Sequence, residues 1–306
     1  MLIEHLAKNL IITPDYIKTV ANTASKRYIS IEIPKKSGGL RKIHNPSREL
    51  KTLQRVIHED ILERLPTHPC AHAYKKGSSI LQHAKQHKDA KYLLRLDFKD
   101  FFESIKHSDI ELYITKNISN HFPNWEPEDT SLLLKLICHE YKLSIGAVTS
   151  PAISNAICFE MDEKINSLCL SSNIKYTRYA DDLYFSCKEK EILPKIPPLI
   201  KDIIRNLEYP KSLWLNIKKT IHTSHKRKVN VTGLTITNSG NVSLGRERKR
   251  KIKSLIYKWD ILSKDEKNSL QGMLAFCASV EPAFINSLCI KYGSQKISDA
   301  IKFKHP

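Results

Sequence analysis

The sequence IKYTRYADDLYFSC, residues 174–187, indicates the architecture of the whole chain. Two runs of aromatic and apolar residues flank Asp181 and Asp182, and the link between the runs is so short that it predicts a tight β-hairpin. The two carboxylates then lie at the hairpin tip. Because adjacent aspartates repel each other unless a cation neutralises them, the pair is a candidate divalent-metal site with oxygen ligands. A solvated turn is the alternative, since Asp is a common turn residue.

A third aspartate ends another apolar run, upstream of the hairpin. Residues 92–96 have the pattern of a buried strand, and Asp97 stands at its C-terminal end. The ends of neighbouring strands can converge, so we expect Asp97 to lie near Asp181 and Asp182. No His or Cys cluster and no calcium-binding loop accompanies these acids, which favours Mg²⁺ over zinc or calcium. The sequence predicts three carboxylates that hold two Mg²⁺ ions, the arrangement that nucleotidyl transfer requires.

Length and composition describe a full-sized protein that is neither secreted nor embedded in a membrane. The chain has 306 residues, of which 41% are hydrophobic, enough for a sizeable core in one large domain or two smaller ones. Its apolar runs are too short to span a bilayer and its N-terminus lacks a signal peptide, so we expect a cytoplasmic protein without a membrane partner. The seven cysteines form no CxxC pair, which argues against disulfides and zinc.

The positive charge is concentrated near the C-terminal end. The formal net charge is +18, and residues 211–258 contribute +12 of it, with thirteen Lys or Arg and one acid, Glu247. Such a concentration is the electrostatic footprint of a phosphate-backbone partner. A solvated basic face is the alternative for a single basic run, but here the charge recurs across strand, turn and helix patterns. The candidate RNA contacts in this region are Arg246, Arg248, Lys249, Arg250, Lys251 and Lys253.

Local patterns place several other elements. Residues 28–33 and 40–44 alternate around a Gly-containing turn and predict a basic β-hairpin. Ser108 is the expected cap of the helix that follows Asp97. Ser150 and a following Pro predict one long helix that runs to about residue 170. Two strands are expected to meet at the turn formed by residues 238–240.

Several motifs together resemble the core of a reverse transcriptase. YADD at residues 179–182 and LDFKDFF at residues 96–102 are similar to the metal-binding core of that family. Arg41 resembles the fingers arginine that contacts the incoming triphosphate. SxGAxTSP at residues 144–151 resembles the loop beneath the nucleotide, and LNIKKT at residues 215–220 resembles the next palm motif. The likeness spans roughly residues 25–300.

This resemblance implies an α+β fold with the right-hand polymerase architecture of fingers, palm with an antiparallel sheet, and helical thumb. A helical extension is expected over residues 1–27 and the fingers over 28–90. The palm would cover 91–235, with a fingers insertion near 107–150. A primer-grip-like hairpin and a basic helical thumb would occupy 236–306.

The resemblance also implies roles for single residues. The metal ligands would be Asp97, Asp181, Asp182 and the backbone carbonyl of Phe98. The catalytic set would add Lys219 as the proton donor to pyrophosphate, although a phosphate contact or a solvated lysine fits its position equally. The ring of Phe102 would lie beneath the sugar and select dNTPs by disfavouring a 2′-hydroxyl. The nucleotide-binding residues would be Arg41, Phe102, Gly146 and Ala147.

Within this family, three features resemble the retron reverse transcriptases. The tripeptide Val231, Thr232 and Gly233 matches a segment with which those enzymes recognise their own RNA, and His83 and His87 resemble their NAxxH element. We therefore expect all five residues to bind RNA, with capping or hydrogen bonding as the alternative for the two histidines. The third feature is the short sequence after the basic C-terminal helices, from which we expect no maturase, endonuclease, integrase or RNase H region.

Retron membership implies a specific activity and set of partners. The protein would copy part of a cognate structured non-coding RNA into single-stranded DNA, priming from an RNA 2′-hydroxyl to give a branched RNA-DNA molecule. Its partners would be that RNA, the cDNA, dNTPs and a separate effector protein in anti-phage defence. One alternative is a group II intron-like or diversity-generating reverse transcriptase. Another is a non-catalytic RNA-binding scaffold.

The loop before the long helix departs from the family pattern. Most relatives have PQGAPxSP, whereas here Ile145 replaces the Gln and Val148 replaces the first internal Pro. The Gln helps to seat template and nucleotide, so the resemblance implies altered nucleotide affinity or fidelity. Neither change removes a proposed metal ligand.

Overall fold

The protein folds into two units built from helices and antiparallel strands. The computed structural model describes residues 1–35, 38–224, 226 and 229–303. The first unit comprises Met1–Ser78 and Leu94–Ile221, and the second comprises Ser79–Leu93 and His222–Pro306. This mixture of segregated helices and antiparallel sheet confirms the predicted α+β class.

The chain contains nine strands and fourteen α-helices within its described residues. The strands are β1 (Tyr28–Pro34), β2 (Leu40–Pro46), β3 (Tyr92–Asp97), β4 (Lys175–Tyr179), β5 (Asp182–Cys187), β6 (Ile221–Ser224), β7 (Val229–Val231), β8 (Leu234–Ile236) and β9 (Val242–Ser243). The helices are α1 (Leu2–Leu10), α2 (Pro14–Asn22), α3 (Arg48–Asp60), α4 (Ile80–Lys85), α5 (Phe101–Ser104), α6 (His107–Asn117), α7 (Pro127–Ile137), α8 (Ser150–Ile157), α9 (Phe159–Leu170), α10 (Ile196–Arg205), α11 (Arg246–Tyr257), α12 (Lys264–Val280), α13 (Pro282–Tyr292) and α14 (Ser294–Ile301).

Three sheets organise these strands. β1 and β2 form a separate antiparallel hairpin, and β7, β8 and β9 form an antiparallel meander. The remaining sheet has the strand order β4-β5-β3-β6, so the aspartate hairpin lies beside the strand that ends at Asp97. Tyr179 pairs with Asp182 across β4 and β5, which leaves Ala180 and Asp181 as a two-residue link. The predicted tight hairpin is confirmed, and Ala180 adopts the left-handed φ of 56° that such links require.

The structure corrects two local predictions and confirms a third. Helix α6 begins at His107 with Lys106 as its N-cap, so Ser108 does not cap it. The predicted long helix is two helices, α8 and α9, which are separated at Cys158. The two strands predicted to meet at residues 238–240 are confirmed as β8 and β9, and β7 adds a third strand to their sheet.

A fully buried ion pair lies behind the aspartate hairpin. The Nη2 and Nε atoms of Arg178 donate to the two oxygens of Asp162 at 2.7 and 2.9 Å, and both side chains are 0% exposed. Tyr176 also donates to Asp162, at 2.7 Å. The Nη1 atom of Arg178 donates to Asn155 Oδ1 at 3.1 Å and to the Ala180 carbonyl at 3.4 Å. Burial opposes the charged guanidinium, yet Asp162 raises the pKa of Arg178 above its ordinary value.

The same network holds an extended segment of the first unit. The backbone N–H of Arg178 donates to the Cys70 carbonyl at 2.8 Å, and His72 N–H donates back to the Arg178 carbonyl at 2.8 Å. Asn155 Nδ2 donates to the Ala73 carbonyl at 2.9 Å. One buried polar cluster therefore fixes both the hairpin tip and residues 70–73.

A helix that crosses a bilayer has about 20 predominantly apolar residues. No helix within residues 1–35, 38–224, 226 and 229–303 is long and apolar enough to cross a membrane.

Replacing Arg178 by Met should destabilise the first unit strongly. The change leaves the carboxylate of Asp162 buried without its partner, which costs about 3–5 kcal/mol. Urea denaturation of purified protein measures this loss. The matched control is Lys164→Met, which removes an exposed ion pair with Glu160 in α9 and should cost less than about 0.5 kcal/mol. Equal losses for the two variants would refute the organising role of the buried pair.

Candidate active site

Backbone hydrogen bonds bring the two aspartate segments together. The N–H of Phe98, directly after β3, donates to the Asp181 carbonyl at 3.0 Å. The N–H of Asn216 donates to the Asp97 carbonyl at 2.7 Å, and Phe98 also forms a β-bridge with Leu215. The ends of β3 and of the hairpin, and the LNIKKT segment, therefore meet at one place, as the strand-end argument predicts.

Lys219 is the cation that contacts this carboxylate group most closely. Its Nζ donates to both oxygens of Asp97, at 2.9 and 3.0 Å. The Asp97 side chain is 7% exposed, while that of Lys219 is 47% exposed and opens toward solvent. A half-exposed lysine can leave such a pair at modest cost, because water then solvates the ammonium group.

The other two carboxylates lie in surroundings that oppose their ionisation. Burial raises the pKa of Asp182 to about 6, and Arg95, whose Nε lies 3.7 Å from Oδ1, opposes that shift only in part. Burial also raises the pKa of Asp181, to which the nearby charge of Asp97 adds. Tyr184 donates a long hydrogen bond of 3.3 Å to Asp182 Oδ2. Their ionised forms would therefore gain from an additional cation nearby.

The chemical type of the donor atoms suits a hard divalent ion. They are carboxylate oxygens, which Mg²⁺ prefers, and the Asp97 oxygens already accept a cation, the ammonium group of Lys219. Across the described part of the chain, no three His, Cys, Asp or Glu side chains are arranged as a ready metal-binding group. The role of Asp97, Asp181, Asp182 and the Phe98 carbonyl as metal ligands stays a prediction.

A cleft of about 910 Å³ in the first unit opens onto these residues. Its lining includes Asp181 and Lys219 together with the predicted nucleotide-binding residues Arg41 and Phe102. The Phe102 ring is half-buried and packs on the Phe101 ring with centroids 5.4 Å apart. The structure therefore brings together a cation for phosphates, an aromatic wall and the carboxylate group.

The loop before α8 reaches the cleft through Ile145. Gly146 has φ 111°. Its backbone packs so closely against β2 that a Cβ at this position would lie 2.6 Å from the His44 carbonyl oxygen. The Ile145 carbonyl accepts from His44 N–H at 2.8 Å, which ties the loop to β2. The cleft lining includes Ile145 but neither Gly146 nor the buried Ala147. These two residues shape the loop, and their predicted contact with nucleotide would be made only through backbone atoms.

The comparisons with known proteins agree with this geometry. Residues 33–236 match the family described as reverse transcriptase (RNA-dependent DNA polymerase). The Retron Ec83 reverse transcriptase of Escherichia coli is 34% identical over 305 residues, covering 95% of each chain. The chain belongs to the retron reverse transcriptases.

Two further comparisons describe the range of similarity. The Retron Ec86 reverse transcriptase of Escherichia coli is 30% identical over 304 residues, covering 96% of this chain and 92% of that one. Among solved structures, the foamy viral protease-reverse transcriptase in complex with double-stranded DNA aligns with 16% identity and a TM-score of 0.49. That alignment covers 90% of this chain and 45% of the viral chain. Family membership gives this retron reverse transcriptase the right-hand polymerase fold predicted from its sequence.

In the second unit of this retron reverse transcriptase, the VTG tripeptide forms the turn between β7 and β8. Thr232 and Gly233 both have positive φ, 47° and 81°, and Asn230 Oδ1 accepts from Gly233 N–H at 3.0 Å. His83 Nδ1 lies 3.3 Å from Thr232 Oγ1, and the His87 ring packs edge-on against His83. The turn is therefore supported from α4.

This position changes the interpretation of three predicted RNA contacts. His83 and Val231 are 0% exposed and His87 is 1% exposed. Buried side chains cannot reach an RNA without rearrangement, so the fold favours the alternative in which both histidines hydrogen-bond within the protein. Gly233, at the tip of the turn, is exposed and Thr232 is half-buried, so this part of the tripeptide reaches the surface, as RNA contact requires.

The basic residues of α11 fall into two groups. Arg246, Arg250 and Lys251 are exposed. The remaining three are half-buried and engaged with the protein: Arg248 lies over Phe276, Lys253 over Phe284, and Lys249 pairs with Glu281. Arg248 Nη1 also reaches the Gly233 carbonyl at 3.5 Å. The first group can contact a phosphate backbone without giving up an internal partner.

Sequence reasoning missed the residues of the buried network and one residue of the cleft. The network of Arg178, Asp162 and Asn155 left one signal in the sequence, the charged Arg178 between the aromatic residues of β4. Tyr74 lines the cleft, and nothing in the local sequence pattern pointed to it.

Replacing Gly146 by Ala should destabilise this retron reverse transcriptase by roughly 1–3 kcal/mol, because the loop must move away from β2 and the residue must keep a left-handed φ. Urea denaturation measures the change. In the control, Gly272→Ala inside α12, the new Cβ meets open space and should stabilise by roughly 0.5–1 kcal/mol. Two variants of equal stability would contradict the close packing described for the loop.

Proposed function

We propose that this protein is an RNA-directed DNA polymerase that copies part of a cognate structured non-coding RNA into single-stranded DNA. The observation that carries the proposal is the junction of the strand end at Asp97 with Asp181, which lines a cleft together with Arg41 and Phe102. Priming from an RNA 2′-hydroxyl, a branched RNA-DNA product and a role in cytoplasmic anti-phage defence with a separate effector belong to the same proposal. Retron membership supports these finer points.

We assign the parts of the right hand as the sequence predicts them. Residues 1–27 are the helical extension, 28–90 the fingers, 91–235 the palm with an insertion near 107–150, and 236–306 the hairpin and thumb. The β1-β2 hairpin, which carries Arg41, supports the fingers assignment, and the β4-β5-β3-β6 sheet supports the palm. α11 to α14 support a helical thumb.

The cleft residues divide the work of nucleotidyl transfer. Asp97, Asp181, Asp182 and the Phe98 carbonyl would hold two Mg²⁺ ions. When bound, such ions activate the attacking hydroxyl and neutralise charge on the pyrophosphate. Arg41 binds the triphosphate of the incoming nucleotide, and its permanent charge suits a phosphate oxygen. Lys219, released from Asp97, lies beside the leaving group and donates a proton to it.

The exposed charges of α11 and the VTG turn supply the RNA surface in the second unit. Arg246, Arg250 and Lys251 neutralise backbone phosphates, while Thr232 and Gly233 present a turn whose shape is held by His83. The half-buried Arg248 connects the two, since it reaches both Phe276 and the Gly233 carbonyl. A change in the conformation of the VTG turn would therefore alter the position of the Arg248 side chain in α11.

The two alternatives to this function are another type of reverse transcriptase and a non-catalytic scaffold. Similarity to retron enzymes over 95% of the chain favours retron activity over that of a group II intron-like or diversity-generating enzyme. A non-catalytic scaffold would need none of the three aspartates, and all three are present at the cleft or beside it. Their substitution separates the two functions.

The double variant Asp181→Asn, Asp182→Asn should lose cDNA synthesis by roughly 10³-fold, because several kcal/mol of charge stabilisation disappear while the shape is kept. RNA binding should stay within about twofold, since neither residue lies in the basic region. Primer extension and filter binding on the same preparation measure both. The control is Asp202→Asn on the exposed face of α10. Undiminished cDNA synthesis would show that these carboxylates do not carry the reaction, which leaves the RNA-binding scaffold with a co-purifying enzyme as the source of the cDNA.

Replacing Arg246, Arg250 and Lys251 by Ser should weaken binding of the cognate RNA and reduce the slope of log K against log salt by about two to three, one unit or slightly less for each lost phosphate contact. The control replaces three exposed lysines of the first unit, Lys188, Lys195 and Lys201. Titrations at several salt concentrations measure the slopes. An unchanged slope in the α11 variant would remove the proposed RNA surface.

A further inference from the structure

Tyr74 has a backbone conformation that is rare for its type. Its φ is 60°, in the left-handed region that bulky side chains avoid. Glycine adopts this conformation without strain, but Tyr74 carries a large ring, which is 50% exposed. Such strain persists only where the surrounding structure imposes it, and it is concentrated at functional sites.

The surroundings of Tyr74 do impose this conformation. The preceding carbonyl, that of Ala73, is held by Asn155 at 2.9 Å, and His72 N–H is held by the Arg178 carbonyl at 2.8 Å. Both partners belong to the buried network around Arg178 and Asp162. Hydrogen bonds therefore fix the backbone directly before Tyr74. With its left-handed φ, Tyr74 then lines the cleft.

The ring of Tyr74 contacts the proposed sugar-selecting residue. Its centroid lies 6.2 Å from that of Phe102 with the planes tilted by 46°, within the range of favourable aromatic pairs. Phe102 also packs on Phe101 at 5.4 Å, and Phe101 stacks in turn on Phe98 at 5.6 Å. Phe102 thus has aromatic neighbours in Phe101 and Tyr74, and both line the same cleft as Arg41.

We propose that Tyr74 is a specificity-determining residue that holds the Phe102 ring in place and forms a second wall of the sugar pocket. A ring can exclude a 2′-hydroxyl only if it cannot yield when a ribonucleotide enters. Phe101 restricts Phe102 through one contact, and Tyr74 restricts it through another. This inference rests on the proposed function, since it requires that Phe102 faces the sugar of an incoming nucleotide.

Three substitutions separate the ring of Tyr74 from its backbone strain. Tyr74→Ala removes the ring, and Tyr74→Gly removes the ring and relieves the left-handed strain. Tyr74→Phe keeps the ring and removes only the hydroxyl. The measurement is the ratio of kcat/KM for a dNTP to that for the matching rNTP, with urea denaturation of each variant alongside.

The two ring-deleted variants should lower this ratio by about tenfold or more, the scale on which a pocket of altered shape discriminates small groups. Tyr74→Phe should keep the ratio of the unsubstituted protein. The Gly variant should be at least as stable as the Ala variant, so that loss of discrimination cannot be attributed to unfolding. A merely structural role would change stability and leave the ratio unchanged.

Tyr141 provides a matched control for residue type and backbone. It also has a left-handed φ, 59°, and its ring is 80% exposed on the loop before the Ile145 segment, outside the cleft. Tyr141→Ala should leave the ratio unchanged. The double variant with Phe102→Ala completes a cycle: because the two rings act together, the effects of Tyr74→Ala and Phe102→Ala should be clearly less than additive.

The outcomes distinguish this inference from the function on which it rests. If the unsubstituted protein makes no cDNA, or if Phe102→Ala leaves the ratio unchanged, the proposed function or its sugar gate fails. If Phe102→Ala lowers the ratio while Tyr74→Ala and Tyr74→Gly do not, the role of Tyr74 is overturned and the gate stands. Additive effects in the double variant would also overturn it, because they would show that the rings act independently.

Discussion

The buried pair of Arg178 and Asp162 is the interaction on which the first unit of the molecule depends. Two charges in a dry interior are tolerated only when hydrogen bonds satisfy them completely, and here Tyr176 and Asn155 complete the set. That requirement fixes the relative positions of α8, α9 and β4. Because the same guanidinium reaches the Ala180 carbonyl, the position of the aspartate hairpin follows from it. The pair contributes geometry more than stability, since burial of charge offsets much of its attraction.

The acidic site is held by backbone bonds and only partly balanced by side-chain charge. The carbonyls of Asp97 and Asp181 both accept backbone N–H groups, so the strand ends cannot separate to relieve repulsion. Lys219 balances Asp97, while burial leaves Asp181 and Asp182 with raised pKa values. Three carboxylates thus lie close together in a chain whose net charge is +18. Such a site favours cations, in contrast to the basic surface that surrounds a phosphate backbone.

The second unit shows how one basic helix serves two purposes. Lys249 and Arg248 lie against α12 and α13 through Glu281, Phe276 and neighbouring rings, where their long side chains pack on apolar surface. Their charge stabilises the helical bundle and supports the VTG turn. The outward residues of α11 remain available for a polyanion. A count of positive charges along the chain cannot distinguish these groups, because exposure depends on which helices pack together.

The amino-acid sequence by itself determined those features that depend on residues close together in the chain. The hairpin around Asp181, the strand that ends at Asp97, and the basic character of α11 could all be read from alternation, turn length and charge, since these patterns follow from local backbone geometry. The local patterns did not show what packing decides. The break at Cys158 and the burial of His83 depend on contacts with distant segments, as does the left-handed turn at Tyr74. Hydrogen bonds between residues about a hundred positions apart, such as those from Arg178 to the segment around Cys70, exist only once the tertiary structure brings their partners together.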